Sequence, residues 1–400
     1  MPRRTLSSTL LTEPYRSTSP ASLPFVTSTE TPAAELRGWA TRRMIAEDAR
    51  WAMDLILSAQ HLPKLSPYVA LTLGHHFVRI AYEGATALRS ANPYVGIPQL
   101  AALFDDTFAS VTKRGRHVTK LLDDNKKSYE TVLSELDQVI TEHRSTFTGK
   151  GVWWARRLES DLGLYVADRR VLGASWPTAY RLGLSVGAGR TTIAGHDLLA
   201  VTKEWGGTLA ILGAAALDAT EPSATLDFRR MPSINGKSRR SDRYLRRRFE
   251  EDFPDALKML LLAIEGEMNT SITVVAHSAP RHESAVFRAR TIALYHSLTA
   301  LTRIAKRYDS VCSRGMRALN TLLADSSVEA LLSSPGKMVR NRCMHYEIND
   351  PRVAIDPSLP MFGIVESVFP GESWSSVNNK VTLVIDRVAT LLCDWVPSRR

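Results

Sequence analysis

The chain has 400 residues, of which 44% are hydrophobic and 23% are charged, and this composition is typical of a globular protein with two or three domains. Its formal net charge is +10, and its three cysteines form no CxxC pair. The cysteine pattern argues against a disulfide scaffold or a cysteine zinc site and favours a reducing cytoplasm. No uninterrupted apolar run approaches the roughly 18 residues that cross a bilayer, so no membrane partner is expected.

The first 32 residues are rich in Ser, Thr and Pro, which is typical of a disordered tail. Arg3, Arg4 and the many serines also fit an organellar transit peptide. A secretory signal is not expected, because the segment has no apolar core and Glu13 interrupts it.

Apolar residues recur at helical spacing through much of the region 33–228, whose role the sequence does not indicate. Between 152 and 219 the pattern is ambiguous, and Tyr165 to Leu172 fits either a helix or a short strand. The predicted helices are Ala33 to Ala59, Ser66 to Arg89, Pro98 to His143, Ala155 to Leu164 and His196 to Leu217.

A strongly basic block follows in region 229–253. Nine basic residues lie between Arg229 and Arg248 against the single acid Asp242. One interpretation is a flexible, solvated basic linker, which the Gly, Ser and Pro residues in the block favour. The other is contact with RNA phosphates, which such charge attracts without reading sequence. The candidate RNA-binding residues of this block are Arg239, Arg240, Arg246, Arg247 and Arg248.

Region 254–400 also has a helical pattern. We predict helices over Pro254 to Met268, Glu283 to Arg307, Ser310 to Leu323, Lys337 to Glu347 and Ser376 to Trp395, a helical turn over Ser327 to Leu332 and one short strand over Ile272 to Ala276. The fold class expected from the sequence is therefore mainly α, a multi-helix protein that ends in a helical bundle.

One run in the predicted bundle combines residue types and spacing that indicate a candidate catalytic site. Arg340 and His345 have four residues between them, with Asn341 directly after the arginine and Tyr346 directly after the histidine. Spacing alone carries little weight, because chance should give roughly three such Arg–His pairs in this composition. The other two pairs are Arg190 with His196, in a poor helix, and Arg290 with His296, where we expect packing.

The Arg-Asn-x-x-x-His run on a short helix resembles the signature of HEPN domains, small helical domains of which many are metal-independent RNases that act as dimers. The resemblance covers roughly Pro254 to Arg400. It implies that Arg340 and His345 are the catalytic pair, that Asn341 is a positioning residue and that Tyr346 flanks the site.

Imidazole and guanidinium chemistry fits this resemblance. A histidine can transfer protons to or from a ribose hydroxyl, and a guanidinium can stabilise charge on a phosphoryl group. We therefore expect an endoribonuclease that uses the RNA 2′-hydroxyl as nucleophile, leaves 2′,3′-cyclic phosphate ends and needs no cofactor or metal. Tyr346 and Arg342 are further candidate RNA-binding residues.

The resemblance further implies a homodimer, RNA as partner and a toxin or antiviral defence role, with the N-terminal half or another protein as regulator. The Pro-rich loop from Asn349 to Trp374 is longer than a minimal HEPN domain needs. The alternative is a HEPN-like module that binds RNA or protein without catalysis. A helical scaffold with no nucleic-acid role is a third possibility.

Other motifs carry less weight. The Gly-rich run from Gly183 to Thr191 lacks the lysine and the spacing of a phosphate-binding loop. Adjacent histidines His75 and His76 are expected to point to different faces of a helix, and His277 and His282 have no third ligand nearby in sequence. We predict no metal site.

Overall fold

The structure is a computed structural model that describes residues 32–60, 65–90, 127–149, 158–182, 205–213, 226–229, 231–348 and 353–396, with a few single positions between these ranges. It is 72% helical and has one small three-stranded sheet, which confirms the mainly α class. The predicted tail, the Gly-rich run, the Arg190–His196 pair and most of the Pro98 to His143 helix lie outside the described residues.

Three long helices lie in the described part of the N-terminal region. They are α1 (Pro32–Gln60), α2 (Ser66–Ser90) and α3 (Tyr129–Phe147), and a further helical segment covers 205–213. Helix α2 begins at the predicted Ser66-Pro67 pair, because serine and proline are favoured at a helix start. Helix α3 is capped by the Ser128 side chain, which accepts a hydrogen bond from the Thr131 backbone N–H.

The sheet lies where the sequence was ambiguous. Strands β1 (Leu162–Ala167) and β2 (Arg170–Ala174) form an antiparallel hairpin, and β1 also pairs with β3 (Asn235–Arg239), so the order is β2-β1-β3. The predicted helix over Ala155 to Leu164 is wrong at its end. Alternate residues Leu162, Leu164 and Val166 are buried on one face of β1, and both edges of the strand are paired. Helix α4 (Ser175–Leu182) follows the hairpin.

The basic block is folded, which corrects the prediction of a flexible linker. It contributes the outer strand β3 and the short helix α5 (Ser241–Arg246). The start of α5 is fixed by Asp161, the residue directly before β1. The Ser241 backbone N–H donates to Asp161 Oδ1 at 2.9 Å. The pairing of β3 with β1 joins residues that are far apart in sequence. The charge and the turn residues of the block therefore did not predict it.

Seven helices follow in the C-terminal region as the structure describes it. They are α6 (Asp255–Thr273), α7 (Ala279–Arg307), α8 (Arg314–Leu323), α9 (Ser326–Leu332), α10 (Ser334–His345), α11 (Ile364–Val368) and α12 (Trp374–Cys393). The predicted helices of this region are present with shifted ends. The strand predicted over Ile272 to Ala276 is wrong, because α6 continues to Thr273 and a 3₁₀ turn covers Val275–Ser278. The β-branched residues that suggested a strand lie in or beside this helix, so tertiary context overrides their propensity.

A continuous hydrophobic core extends from Ala40 in α1 to Trp395 after α12. Helix α6 is buried along nearly its whole length and packs against β2, α3 and α12, while α1 packs on α7 and α2 on α10. The two regions that we predicted as separate units, 33–228 and 254–400, therefore share one core.

One described helical segment, Asp255–Arg307, is long and apolar enough to cross a membrane by length and composition alone. The structure buries 83% of its most apolar window inside the molecule. Core helices of soluble proteins pass the same test, so this observation is weak support for a membrane span.

Candidate functional site

Helix α10 carries the Arg-Asn-x-x-x-His run and is shifted toward the N-terminus from the predicted Lys337 to Glu347. It begins after Ser333, whose side chain accepts a hydrogen bond from the Gly336 backbone N–H. It ends at His345 because Tyr346 adopts the left-handed conformation with φ of 59°. A Cβ on Gly336 would lie 2.0 Å from the carbonyl oxygen of Leu331, so the tight junction between α9 and α10 requires glycine.

The side chain of His345 lies against a buried carboxylate from the N-terminal region. Its Nδ1 is 2.9 Å from Glu83 Oε2, which is supplied by α2. An ionised carboxylate only accepts hydrogen bonds, so an ionised Glu83 favours the tautomer in which Nδ1 carries the proton and Nε2 does not. The His345 side chain is 33% exposed and that of Glu83 only 4%. This pair presents an oriented imidazole at the surface.

Arg340 is held on the other side of α10. Its guanidinium lies over the Tyr295 ring of α7, 4.6 Å from the centroid, and donates from NH1 to Asn341 Oδ1 at 2.8 Å. The residue is only 8% exposed. The side chains of Arg340 and Asn341 are thus in contact. Arg340 packs on a residue of α7, whereas His345 pairs with a residue of α2.

Tyr346 does not line a surface, which corrects its prediction as an RNA-binding residue. It is completely buried, and its hydroxyl donates to Asp48 Oδ2 at 2.6 Å and accepts from Arg79 NH1 at 2.9 Å. Burial raises the pKa of this phenol well above its ordinary value, so it stays neutral. The other flanking candidate, Arg342, is 11% exposed and has NH2 3.5 Å from Asp350 Oδ2.

A buried ionic network surrounds the Tyr346 hydroxyl. Asp48 of α1 accepts from Arg79 NH2 at 2.8 Å and from Arg288 Nε at 2.7 Å. Arg288 is itself fully buried, and its NH2 also donates to Glu47 at 3.0 Å. This network joins α1, α2, α7 and the end of α10, and it fixes the helix on which His345 lies.

The sequence prediction missed both Glu83 and Asp48 as partners of the motif. A signal existed for Asp48, an acid within the apolar stripe of α1 that contains Met44, Trp51 and Leu55. A charge on such a face requires a buried partner. Glu83 carries the same signal, since it lies at helical spacing from Ile80 and Ala87, which are both buried in α2.

The arginines of the basic block line a cleft of about 530 Å³ between residues 158–160, the end of β3, and α5 with the two residues that follow it. Arg239, Arg240, Arg247 and Arg248 contribute to it, as do Arg243 and Tyr244, which we did not predict. Arg246 is exposed and is not one of the residues that line the cleft.

The adjacent histidines His75 and His76 converge on one carboxylate, which corrects the expectation that they point to different faces. Their Nε2 atoms lie 2.9 Å from Glu267 Oε2 and Oε1, and Arg181 NH1 lies 2.5 Å from Oε2. Burial lowers the pKa of His75 to about 3, so it is neutral. Although burial raises it, the pKa of Glu267 is held well below its ordinary value by His75, Arg181 and His76.

The ligand atoms of His75, His76 and Glu267 lie within 4.8 Å of one another, close enough to share a metal ion. Both carboxylate oxygens are already bonded, and the Arg181 charge opposes a second cation beside Glu267. We interpret the group as a buried polar cluster that joins α2 and α4 to α6.

The remaining histidine motifs have structural roles. Arg290 and His296 are both buried in α7, as expected for packing. His282 marks a kink in α7, and its Nε2 lies 3.0 Å from Asp54 Oδ2.

No family model matches this chain, and no curated protein or solved structure matches it either.

Proposed function

We propose that the chain is a metal-independent endoribonuclease in which His345 transfers protons and Arg340 stabilises the phosphoryl group. The observation that carries this proposal is the His345–Glu83 pair. A buried carboxylate that holds Nδ1–H leaves Nε2 of a partly exposed ring as proton acceptor. This is the arrangement that general base catalysis requires.

In the proposed reaction, His345 Nε2 takes the proton of the RNA 2′-hydroxyl, and the 2′-oxygen forms a bond to the adjacent phosphorus. The bond from phosphorus to the 5′-oxygen breaks, and that oxygen needs a proton. The HEPN resemblance places a second copy of the motif across a homodimer, where the other His345 is available to supply it. Arg340 would then bind a non-bridging oxygen, where negative charge develops, and Asn341, which accepts from Arg340 NH1, would position the guanidinium.

A second candidate function is RNA binding without cleavage. The position of Arg340 favours it, because the residue is only 8% exposed and its guanidinium is stacked on Tyr295. Tyr346 is also unavailable to a ligand. A HEPN-like module of this kind would retain the helix and its buried network but would bind RNA only through surface cations.

The test is incubation of the purified protein with total RNA in EDTA, followed by analysis of the product ends. We expect the wild type to leave 2′,3′-cyclic phosphates and His345→Ala to cleave at least about 100-fold more slowly. Glu83→Gln should also slow cleavage, because an amide no longer fixes the imidazole tautomer. The matched control is His277→Ala, a partly buried histidine outside the site. Equal cleavage by wild type and His345→Ala would refute the proposed centre, and RNA binding without cleavage would favour the second candidate.

A further inference from the structure

The cleft of the basic block has a defined shape because secondary structure positions its cations. Arg239 ends β3, Arg243 lies in α5, and Arg240 and Arg247 are the residues directly before and after that helix. Arg248 is fixed further inside, where its NH2 donates to the Leu392 carbonyl at 3.1 Å and pairs with Glu265. Guanidinium groups are thus gathered on one surface before any ligand arrives.

The charge of the cleft is not balanced by its surroundings. Arg240 pairs with Asp242, and Arg248 pairs with Glu265. Within the described residues, no ion pair is formed by Arg239 or Arg247, and Asp242, which pairs with Arg240, is also the acid that interacts with Arg243. Glu159 lines the cleft as well, where it accepts from the backbone N–H groups of Gly149 and Gly151, so one lining carboxylate faces five lining arginines and the cleft keeps a positive charge.

The size of the cleft narrows the class of ligand. A volume of about 530 Å³ is within the range of small-molecule sites and suits a nucleotide-sized group. Ser160, Ser238 and Tyr244 supply hydroxyl groups beside the arginines, and the strand β3 at its wall is exposed throughout. Planar guanidinium forks match phosphate oxygens in geometry as well as in charge.

We propose that this cleft binds a ligand with two or more phosphate groups, either a free nucleotide or consecutive phosphates of a nucleic-acid strand. The site is separate from His345 and does not depend on the proposed ribonuclease activity. The excess of guanidinium groups over carboxylates in the cleft matches a ligand with more than one phosphate. The wall of the cleft on β3 stays open, so a strand can continue beyond it.

Equilibrium binding of three labelled probes tests this proposal: ATP, a 12-nucleotide single-stranded RNA and the matching DNA. Binding is measured at several salt concentrations in the full chain, with His345→Ala present in every variant so that RNA is not consumed. The test variant is Arg243→Gln with Arg247→Gln. Both side chains are exposed, so the fold should persist, which thermal unfolding checks. The matched control is Arg281→Gln with Arg314→Gln, two exposed arginines outside the cleft.

We expect the test variant to bind at least roughly tenfold more weakly than the parent, with a shallower salt dependence, and the control to bind as the parent does. Loss of ATP affinity identifies a nucleotide site, and loss of strand affinity alone identifies a strand site; both support the proposal. It is overturned if no probe binds at low salt, or if the test and control variants weaken binding equally.

Discussion

Tyr346 lies directly beside the candidate active site, and its role is to stabilise the fold. Its left-handed backbone ends α10 and directs the ring into the core, where the hydroxyl is shared by Asp48 and Arg79. The Thr41 hydroxyl also donates to the Tyr346 carbonyl at 2.8 Å. Buried charges are costly unless they are fully hydrogen-bonded, so this phenol helps to satisfy the ion pair.

Tyr346→Phe should therefore destabilise the protein by about 1–3 kcal/mol, since it removes a hydroxyl bonded to two charged groups. Urea unfolding measures the change. Tyr165→Phe is the control, because the Tyr165 hydroxyl has no hydrogen bond within the described residues, and we expect a change below about 0.5 kcal/mol. A similar stability for the two variants would show that the network does not depend on this phenol.

Glu265 is a second residue whose surroundings set its chemistry. Burial raises the pKa of its carboxyl from 4.5 to about 7, against the opposing effect of Arg248. Between those two values the folded protein binds a proton that the unfolded chain does not. The free energy of unfolding should thus decrease as pH rises through this window, by roughly 3 kcal/mol from this group.

Glu265→Gln should remove that part of the pH dependence. In the wild type, the free energy of unfolding should be lower at pH 8 than at pH 5. We expect this decrease to be smaller in the variant. Comparison with the wild type at each pH cancels contributions of other groups, including His143, whose pKa is lowered by burial. Identical pH profiles would mean that Glu265 does not titrate in this range.

At the scale of elements, the contact between α6 and β2 attaches the sheet to the helical core. Asn269 Nδ2 donates to the Val171 carbonyl at 2.9 Å, and Thr270 Oγ1 donates to the Leu172 carbonyl at 2.8 Å. These bonds satisfy backbone acceptors of β2 from a neighbouring helix. They require close approach, which Gly266 allows because it has no Cβ.

Gly266→Ala should separate α6 from β2. The added Cβ would lie 3.0 Å from the Leu172 carbonyl oxygen and 3.2 Å from Gly173 Cα, and these backbone atoms cannot move aside cheaply. We expect a loss of about 1–3 kcal/mol in thermal unfolding experiments. In the control Gly236→Ala, the new Cβ meets no atom within 4 Å. Equal stability of both variants would contradict this close packing.

At the scale of the whole molecule, the shared core and the Asp48–Arg288 pair connect regions far apart in sequence. Both partners are fully buried, so a break between them would leave an uncompensated charge in an apolar interior. The sheet joins the N-terminal region to the basic block, because β1 and β2 precede the block and β3 lies within it.

Residues 254–400 expressed alone should therefore show no cooperative thermal unfolding, and residues 32–253 alone should behave in the same way. Circular dichroism of each fragment and of the co-expressed pair measures this, and we expect the pair to regain a cooperative transition. A cooperative transition of 254–400 by itself would show that this region is an independent domain.

The sequence by itself determined the features that depend on neighbours along the chain. Helical periodicity predicted most long helices, and Ser66-Pro67 marked the start of α2. These signals are local, since helix caps and helical spacing depend on residues within a few positions.

Tertiary structure alone decided the rest. The pairing of β3 with β1, the burial of Tyr346 and the Glu83 partner of His345 all depend on residues distant in sequence, 262 positions apart in the last case. No local pattern encodes such contacts, because they form only when several elements bury their apolar faces together. The basic block shows this most clearly: its charge was visible in the sequence, but only its packing against β1 arranged that charge around a cleft.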